Sequence, residues 1–225
     1  MKAAIFDLDG TLADTALDLM LAGNLTFEDM GIEYRLQKDR DENVASRGGK
    51  STIRHGLKKA FGHAEEEKVH ALYPNFLKNY ENVIDVNSIL YEGTLEVLQS
   101  LLKLDILLGV CTNKPIKQAH MLLDILGISH YFKGVVGPDT LGIAKPNPEP
   151  LNRVIEMLGA KPKCSVLVGD TNTDFLTSVA ADVPFILTTY GHGVQYQGLN
   201  RSCTPYLANT PMDIPGLIFE ILKKC

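Results

Sequence analysis

Two aspartates, Asp7 and Asp9, directly follow the first apolar segment of the chain, Ala3–Phe6, and precede Gly10. Side chains alternate along an extended chain, so the two carboxylates point the same way. Two anions this close repel each other unless a cation or a shared proton lies between them. The spacing therefore indicates a nucleophile, a cation site and a tight turn, since glycine permits a turn that a Cβ would hinder. An ordinary Asp-Gly turn at a strand end is the alternative interpretation of these residues alone.

The secondary structure predicted to position these residues differs between the two parts of the chain. After about residue 90, short apolar segments typical of buried strands alternate with segments of helical periodicity. This alternation predicts βαβ units, and hence an α/β fold with a doubly wound parallel sheet covered by helices on both faces. Beyond Ala3–Phe6, the predicted strands are 106–112, 134–136, 165–168 and 185–188. The predicted helices are 94–104, 116–126, 148–158, 174–181 and 213–223.

The segment between about residues 11 and 82 has a helical pattern without a strand-like run. One helix ends near Gly31, and two more are predicted over 50–61 and 65–80, the last with an apolar stripe at helical spacing. We therefore expect a catalytic core domain formed by 1–13 and 90–225. A small helical domain, 14–89, would be inserted after the first strand.

Composition excludes several classes of protein. The chain has 225 residues, of which 45% are hydrophobic, and a net charge of −5, so no nucleic-acid-binding footprint is expected. No apolar stretch reaches the roughly 18 residues of a membrane span, and the N-terminus does not resemble a signal peptide. The cysteines form no CxxC pair, and the histidines show no spacing of a zinc site. We expect a cytoplasmic protein, without membrane or nucleic-acid partners, that is a monomer or a homodimer.

Ligands of an open parallel sheet bind at the carboxyl ends of its strands. In this chain, polar residues follow several of the predicted strands at that end. Thr112 and Asn113 end one strand, Gly169–Asp174 follows another, and Lys145 lies between them in a Pro-rich loop. We expect these residues to gather around the two N-terminal aspartates. Taken singly, the threonine would be a helix cap, the lysine a solvated loop residue, and Asp170 with Asp174 a helix N-cap pair.

The four segments, in this order, resemble the motifs of the haloacid dehalogenase (HAD) superfamily of phosphohydrolases. The resemblance covers nearly the whole chain, and the inserted helical segment is similar to the small cap domain of one branch. Two segments resemble the phosphoglycolate phosphatase-like group in particular: DLDGTLADTA at 7–16 and CTNKP at 111–115. The resemblance implies a Rossmann-like HAD core with a helical cap and a phosphatase acting on a small phosphorylated metabolite.

The resemblance also implies a role for each motif residue. Asp7 would attack phosphorus and form an aspartyl-phosphate, and Asp9 would act as general acid and then as general base. Thr112 would offer its hydroxyl and backbone N–H to a phosphate oxygen. Lys145 would offset charge developing on the phosphoryl group. These roles agree with the chemistry of the side chains, because an anionic nucleophile needs positive charge to approach an anionic ester.

A magnesium ion is the implied cofactor, since Mg²⁺ prefers a few carboxylates together with water and phosphate oxygens. Asp7 and Asp170 would supply side-chain ligands, and Asp9 its main-chain carbonyl. Asp174 would bind through water or orient another ligand.

Substrate contacts are less well specified. Asn113 is a candidate phosphate contact or a turn residue. Arg47, in a predicted break between helices at Ser46–Ser51, would pair with a substrate carboxylate or second phosphate, or else lie in a surface turn. The alternatives to a monoester phosphatase are a β-phosphoglucomutase-like phosphomutase and a pyrophosphatase or nucleotidase. A mutase would need groups such as His55, Lys50 and Arg47 to favour a bound sugar over water.

Overall fold

The computed structural model describes residues 1–45, 47–191 and 206–225. None of the helices in this part of the chain has both the length and the apolar character needed to cross a bilayer. The strands are β1 (Ala3–Phe6), β2 (Ala13–Asp14), β3 (Ile89–Leu90), β4 (Leu107–Cys111), β5 (Gly134–Val136), β6 (Ser165–Gly169), β7 (Phe185–Thr188) and β8 (Tyr206–Ala208). The α-helices are α1 (Ala16–Asp29), α2 (Lys38–Ala45), α3 (Gly49–Phe61), α4 (Glu66–Val83), α5 (Thr94–Lys103), α6 (Ile116–Ile125), α7 (Pro138–Leu141), α8 (Glu149–Met157), α9 (Asn172–Ala180) and α10 (Ile214–Ile221).

A six-stranded sheet with the order β5-β4-β1-β6-β7-β8 organises the larger part of the chain. Every adjacent pair in it is parallel, and Ala3 of β1 pairs with Leu107 of β4 on one side and Ser165 of β6 on the other. The chain runs from β1 to β4 and β5 and later returns to the opposite side of β1. The switch in strand order therefore lies at β1, and the predicted α/β fold with a parallel sheet is confirmed.

The central strands are apolar on both faces because helices cover both sides of the sheet. All four residues of β1 are buried, and Ile5 belongs to a core cluster with Leu167 and Val154. Gly109 in β4 permits the close packing of α8, since a Cβ at this position would lie 2.4 Å from Cγ1 of Val154.

The chain folds into two compact units. The sheet unit comprises Met1–Ala13 and Leu90–Cys225, and the helical unit comprises Asp14–Ile89. Within the helical unit, α1 to α4 pack around buried aromatic side chains, including Phe27 and Phe76. A glycine permits one close approach here, because a Cβ on Gly56 would lie 2.0 Å from Cζ of Phe27.

Several details differ from the sequence-based expectations, among them the short helix α7, which the sequence pattern does not predict. The stretch expected to lack strands contains β2, which pairs with β3 in a separate two-stranded sheet; two residues are too few to produce a periodic pattern. The short helix α2 is an additional element that the sequence pattern does not predict, and β8 adds an edge strand beyond the last predicted one. The break between helices predicted at Ser46–Ser51 is shorter than expected, because α3 already begins at Gly49. Ser46 itself lies outside the described residues.

Candidate active site

Three neighbouring strands deliver the candidate residues to one edge of the sheet. Asp7 follows β1, Thr112 follows β4 and Asp170 follows β6. Sheet hydrogen bonding continues one residue beyond β1, since the Asp7 N–H donates to the Val168 carbonyl at 2.9 Å. Gly10, with φ of +81°, lets the turn approach Asp170, because a Cβ there would lie 2.3 Å from Oδ2 of that carboxylate. Burial of the strands thus fixes the backbone from which these side chains project.

Three buried carboxylates meet at this edge, from Asp7, Asp170 and Asp174. One oxygen of each lies within 4.8 Å of the others, and no other such group of His, Cys, Asp and Glu occurs in the described ranges. Burial raises the pKa of Asp7 to about 6; Lys145 opposes this rise, and the charges of Asp174 and Asp9 add to it. Burial, with the charges of Asp174 and Asp7, also raises the pKa of Asp170 well above its usual value. The anionic forms of these two groups are therefore only partly compensated by nearby positive charge.

The cluster fits a hard divalent cation. Its donors are all carboxylate oxygens, the kind that Mg²⁺ prefers. Oδ1 of Asp7 is buried and accepts no hydrogen bond from any residue that the structure describes, although it lies 3.0 Å from Nζ of Lys145. A bound cation would satisfy this oxygen and offset both the burial and the repulsion between carboxylates that raise the two pKa values.

Lys145 is buried beside the cluster. Its Nζ donates to the Cys111 carbonyl at 2.8 Å and to Oδ1 of Asp174 at 2.5 Å, in addition to its ion pair with Asp7. Burial disfavours the charged ammonium, but the charges of Asp174 and Asp7 outweigh it and raise the pKa of Lys145. The residue is therefore a fixed cation beside Asp7 and not a solvated loop lysine.

Asp174 also caps helix α9. Its Oδ2 accepts hydrogen bonds from the backbone N–H and the hydroxyl of Thr171, and its own N–H lies 3.3 Å from the Thr171 hydroxyl oxygen. This reciprocal arrangement is a capping box. The N-cap residue is therefore Thr171, and not Asp170 or Asp174; Asp174 completes the box from the third helical position, and its other oxygen contacts Lys145. Thr171 and Lys145 thus hold the Asp174 carboxylate in a fixed orientation beside the other two aspartates.

Thr112 and Asn113 differ from expectation in how their polar groups are used. The Thr112 N–H donates to the Val136 carbonyl at 3.1 Å, so only the hydroxyl, and not the backbone N–H, remains to reach a phosphate. That hydroxyl oxygen accepts a hydrogen bond from the N–H of Lys114 at 3.1 Å. The Asn113 side chain forms two hydrogen bonds with the main chain of Lys145. Its NH₂ group donates to the Lys145 carbonyl at 3.1 Å, and its oxygen accepts from the Lys145 N–H at 2.9 Å.

Two contacts at this edge were not expected from the sequence. Nζ of Lys114 lies 2.8 Å from Oδ1 of Asp9, and the side chains are only 4% and 13% exposed. The Thr11 hydroxyl donates to Oδ1 of Asp170 at 3.2 Å. The available signal for Lys114 was its place directly after Thr112 and Asn113 at a strand end. A lysine in a loop is usually solvated, so this signal was weak.

The remaining candidates belong to the helical unit. Arg47 is exposed in the turn before α3. Nε2 of His55 lies 2.8 Å from Oδ1 of the buried Asp41, and Nζ of Lys50 lies 5.0 Å from the centre of the Tyr73 ring. His55 and Lys50, which a mutase would use to favour a bound sugar, thus contact other side chains of the helical unit.

Comparison with known proteins agrees with this architecture. A family model described as haloacid dehalogenase-like hydrolase matches residues 4–188. A phosphoglycolate phosphatase of Rhodospirillum rubrum is 35% identical over 195 residues, which cover 85% of this chain and 80% of that protein. One of Aquifex aeolicus is 31% identical over 97% of both chains.

Among solved structures, a predicted phosphoglycolate phosphatase from Haemophilus somnus superposes with a TM-score of 0.82. It is 25% identical in sequence, and the match covers 96% of this chain and 97% of that one. Both the sequence matches and this superposition extend across the sheet unit and the inserted helices. The chain belongs to the haloacid dehalogenase-like hydrolase family.

Proposed function

We propose that this protein is a magnesium-dependent phosphatase that hydrolyses a small phosphate monoester, of the 2-phosphoglycolate type, through an aspartyl-phosphate on Asp7. One observation carries the proposal. At one edge of the sheet, the Asp7 carboxylate forms an ion pair with the buried Lys145, and a second carboxylate, that of Asp9, follows two residues later. The first pair suits attack on an anionic ester, and the second carboxylate suits proton transfer.

The reaction would proceed in two displacements at phosphorus. A carboxylate oxygen of Asp7 forms a bond to phosphorus while the bond to the ester oxygen breaks, and Asp9 donates its proton to that departing oxygen. Asp9, now ionised, accepts a proton from water, whose oxygen attacks phosphorus and releases Asp7 and inorganic phosphate. Lys145 offsets the negative charge of the reacting groups, and the Thr112 hydroxyl donates to a phosphate oxygen.

Asp7, Asp170 and the main-chain carbonyl of Asp9 would hold the magnesium ion. When bound, the ion supplies positive charge that binds the phosphate and lowers its repulsion from the nucleophile. The Thr171 cap and the Lys145 ion pair would keep the Asp174 carboxylate in a fixed orientation beside the ligands. The Thr11 hydroxyl would do the same for Asp170.

The substrate assignment comes from the relatives, several of which are named phosphoglycolate phosphatases. The mutase alternative gains no specific support, because His55 contacts Asp41 and Lys50 contacts the Tyr73 ring. The proposal therefore takes water, and not a second sugar hydroxyl, as the final acceptor.

The test is phosphate release from a panel of esters with and without MgCl₂, comprising 2-phosphoglycolate, sugar phosphates, nucleotides and pyrophosphate. We expect magnesium-dependent turnover that is fastest for 2-phosphoglycolate. Asp7→Asn keeps the shape of the side chain but removes the nucleophile, and should lower kcat by at least about 10³-fold. The exposed Asp124→Asn, on α6, is the matched control. Retained activity in Asp7→Asn would exclude Asp7 as nucleophile, and isomerisation of a hexose phosphate faster than phosphate release would favour the mutase.

A further inference from the structure

Lys114 is a buried cation that the reaction described above does not use. The residue is 6% exposed, and its Nζ lies 2.8 Å from Oδ1 of Asp9. Removing an ammonium group from water costs several kcal/mol unless an anion faces it, so a lysine is rarely enclosed in this way without a partner. The two carboxylates of the first motif thus each face their own buried lysine, Asp7 with Lys145 and Asp9 with Lys114.

The backbone of Lys114 is held in place. Its N–H donates to the Thr112 hydroxyl at 3.1 Å. On the other side its carbonyl packs against Gly137, where a Cβ would lie 2.8 Å from the Lys114 oxygen. The backbone at the start of the β4–α6 connection is therefore held on two sides, and from it the side chain reaches Asp9.

The position of this ammonium relates it to the leaving group of the substrate. As general acid, Asp9 must come within hydrogen-bond distance of the ester oxygen, about 2.6–3.2 Å. A cation in contact with the Asp9 carboxylate is therefore next to the first atoms of the leaving group. An anion on these first atoms of the leaving group would face the buried ammonium directly.

We propose that Lys114 determines specificity by binding a carboxylate on the leaving group, close to the ester oxygen. The inference rests on the proposed function and deepens it, because it assigns to the sheet unit a residue that recognises 2-phosphocarboxylates. In 2-phosphoglycolate the carboxylate carbon is two bonds from the ester oxygen, which places its charge beside the proton donor. A neutral leaving group of the same size offers nothing to this cation.

The test compares 2-phosphoglycolate with 2-hydroxyethyl phosphate, in which a neutral CH₂OH group replaces the carboxylate. We expect Lys114→Met to lower the ratio of the two kcat/KM values by roughly 10- to 100-fold, the loss typical of a hydrogen bond to a charged group. The loss should appear mainly as a higher KM for 2-phosphoglycolate. Lys114→Arg, which keeps the charge, should restore most of the ratio. Lys117→Met, at an exposed lysine on α6, controls for the change in net charge and should leave the ratio unchanged.

The outcomes separate this inference from the proposed function. An equal fall for both substrates through kcat would mean that Lys114 only positions Asp9, and would overturn the inference. A wild-type enzyme that hydrolyses both esters equally well would overturn it too, while leaving the phosphatase intact. Hydrolysis of neither ester, nor of p-nitrophenyl phosphate, would instead contradict the proposed function itself. Melting temperatures of the variants, compared with wild type, identify any loss of activity that comes from misfolding.

Discussion

At the scale of single residues, the site places four aspartates beside two buried lysines, so its negative charge is only partly compensated. Lys145 lies beside Asp7 and Asp174, Lys114 lies beside Asp9, and Asp170 accepts a hydrogen bond from the neutral Thr11 hydroxyl. Hydrogen bonds from neutral groups then fix the orientation of these charges. Removing a neutral contact should therefore disturb catalysis through the charge that it positions.

Asn113 provides the clearest case, because its amide bonds both the N–H and the carbonyl of Lys145. We predict that Asn113→Ala lowers kcat by roughly 10-fold or more and leaves KM nearly unchanged, since the lysine is displaced and not removed. Asn113→Asp keeps the acceptor for the Lys145 N–H and should lie in between. Steady-state kinetics on 2-phosphoglycolate make the measurement. If Asn113 instead binds the substrate, KM will rise and kcat will hold, and the positioning role fails.

At the scale of elements, a side chain in the first turn of α1 forms hydrogen bonds with a segment that is distant in sequence. In the helical unit, Asp18 is fully buried in the first turn of α1. Its carboxylate accepts hydrogen bonds from the backbone and side chain of Asn87 and from those of Ser88, at 2.7–3.0 Å. A charge placed to favour the helix dipole thus also anchors the segment that follows α4.

We predict that Asp18→Ala lowers the free energy of unfolding by about 3 kcal/mol, because the buried donors of Ser88 and the less buried donors of Asn87 lose their common acceptor. Asp18→Asn keeps one acceptor oxygen and should lose less. Urea denaturation followed by circular dichroism measures the difference, with Asp85→Ala as the control at an exposed residue nearby in sequence. A loss no greater than that of the control would show that the Asp18 contacts contribute little to stability.

At the scale of the whole molecule, the sequence predicted the parallel sheet and the placement of its strand ends. Apolar strands such as β1 and β6 are long enough to produce a pattern, and parallel pairing brings their ends together whatever the intervening helices do. β2 and β3 were missed because two residues carry no period. β8 has three residues, as β5 has, but two of its side chains are exposed at the sheet edge, so it lacks a buried apolar run. The contacts of Lys114 and Asn113 depend on side-chain directions in a folded loop, which spacing does not specify. The roles of the site residues remain predictions, including the proposed substrate contact of Arg47 in the helical unit.

The buried acidic cluster should make the stability of the molecule depend on its cation. The folded-state pKa of Asp7, about 6, lies above its ordinary value of 3.8, so ionisation of Asp7 removes stability from the metal-free protein as the pH rises through about 6. The pKa of Asp170 is raised for the same reason, burial among like charges. A magnesium ion would reverse this loss by binding the ionised groups of the folded chain only.

We therefore predict opposite effects of Asp170→Asn with and without magnesium. At a pH high enough to ionise both Asp7 and Asp170 in the wild type, the variant should be the more stable protein in EDTA, by about 1 kcal/mol or roughly 2–4 °C in Tm, because one buried like charge is gone. Its amide oxygen can still accept from the Thr11 hydroxyl, so the local structure keeps that bond. In MgCl₂ the wild type should gain stability and the variant should gain little. Differential scanning calorimetry, with Asp124→Asn as the control, makes the comparison. A magnesium-induced shift in Tm that is equal in both proteins would remove Asp170 from the proposed cation site.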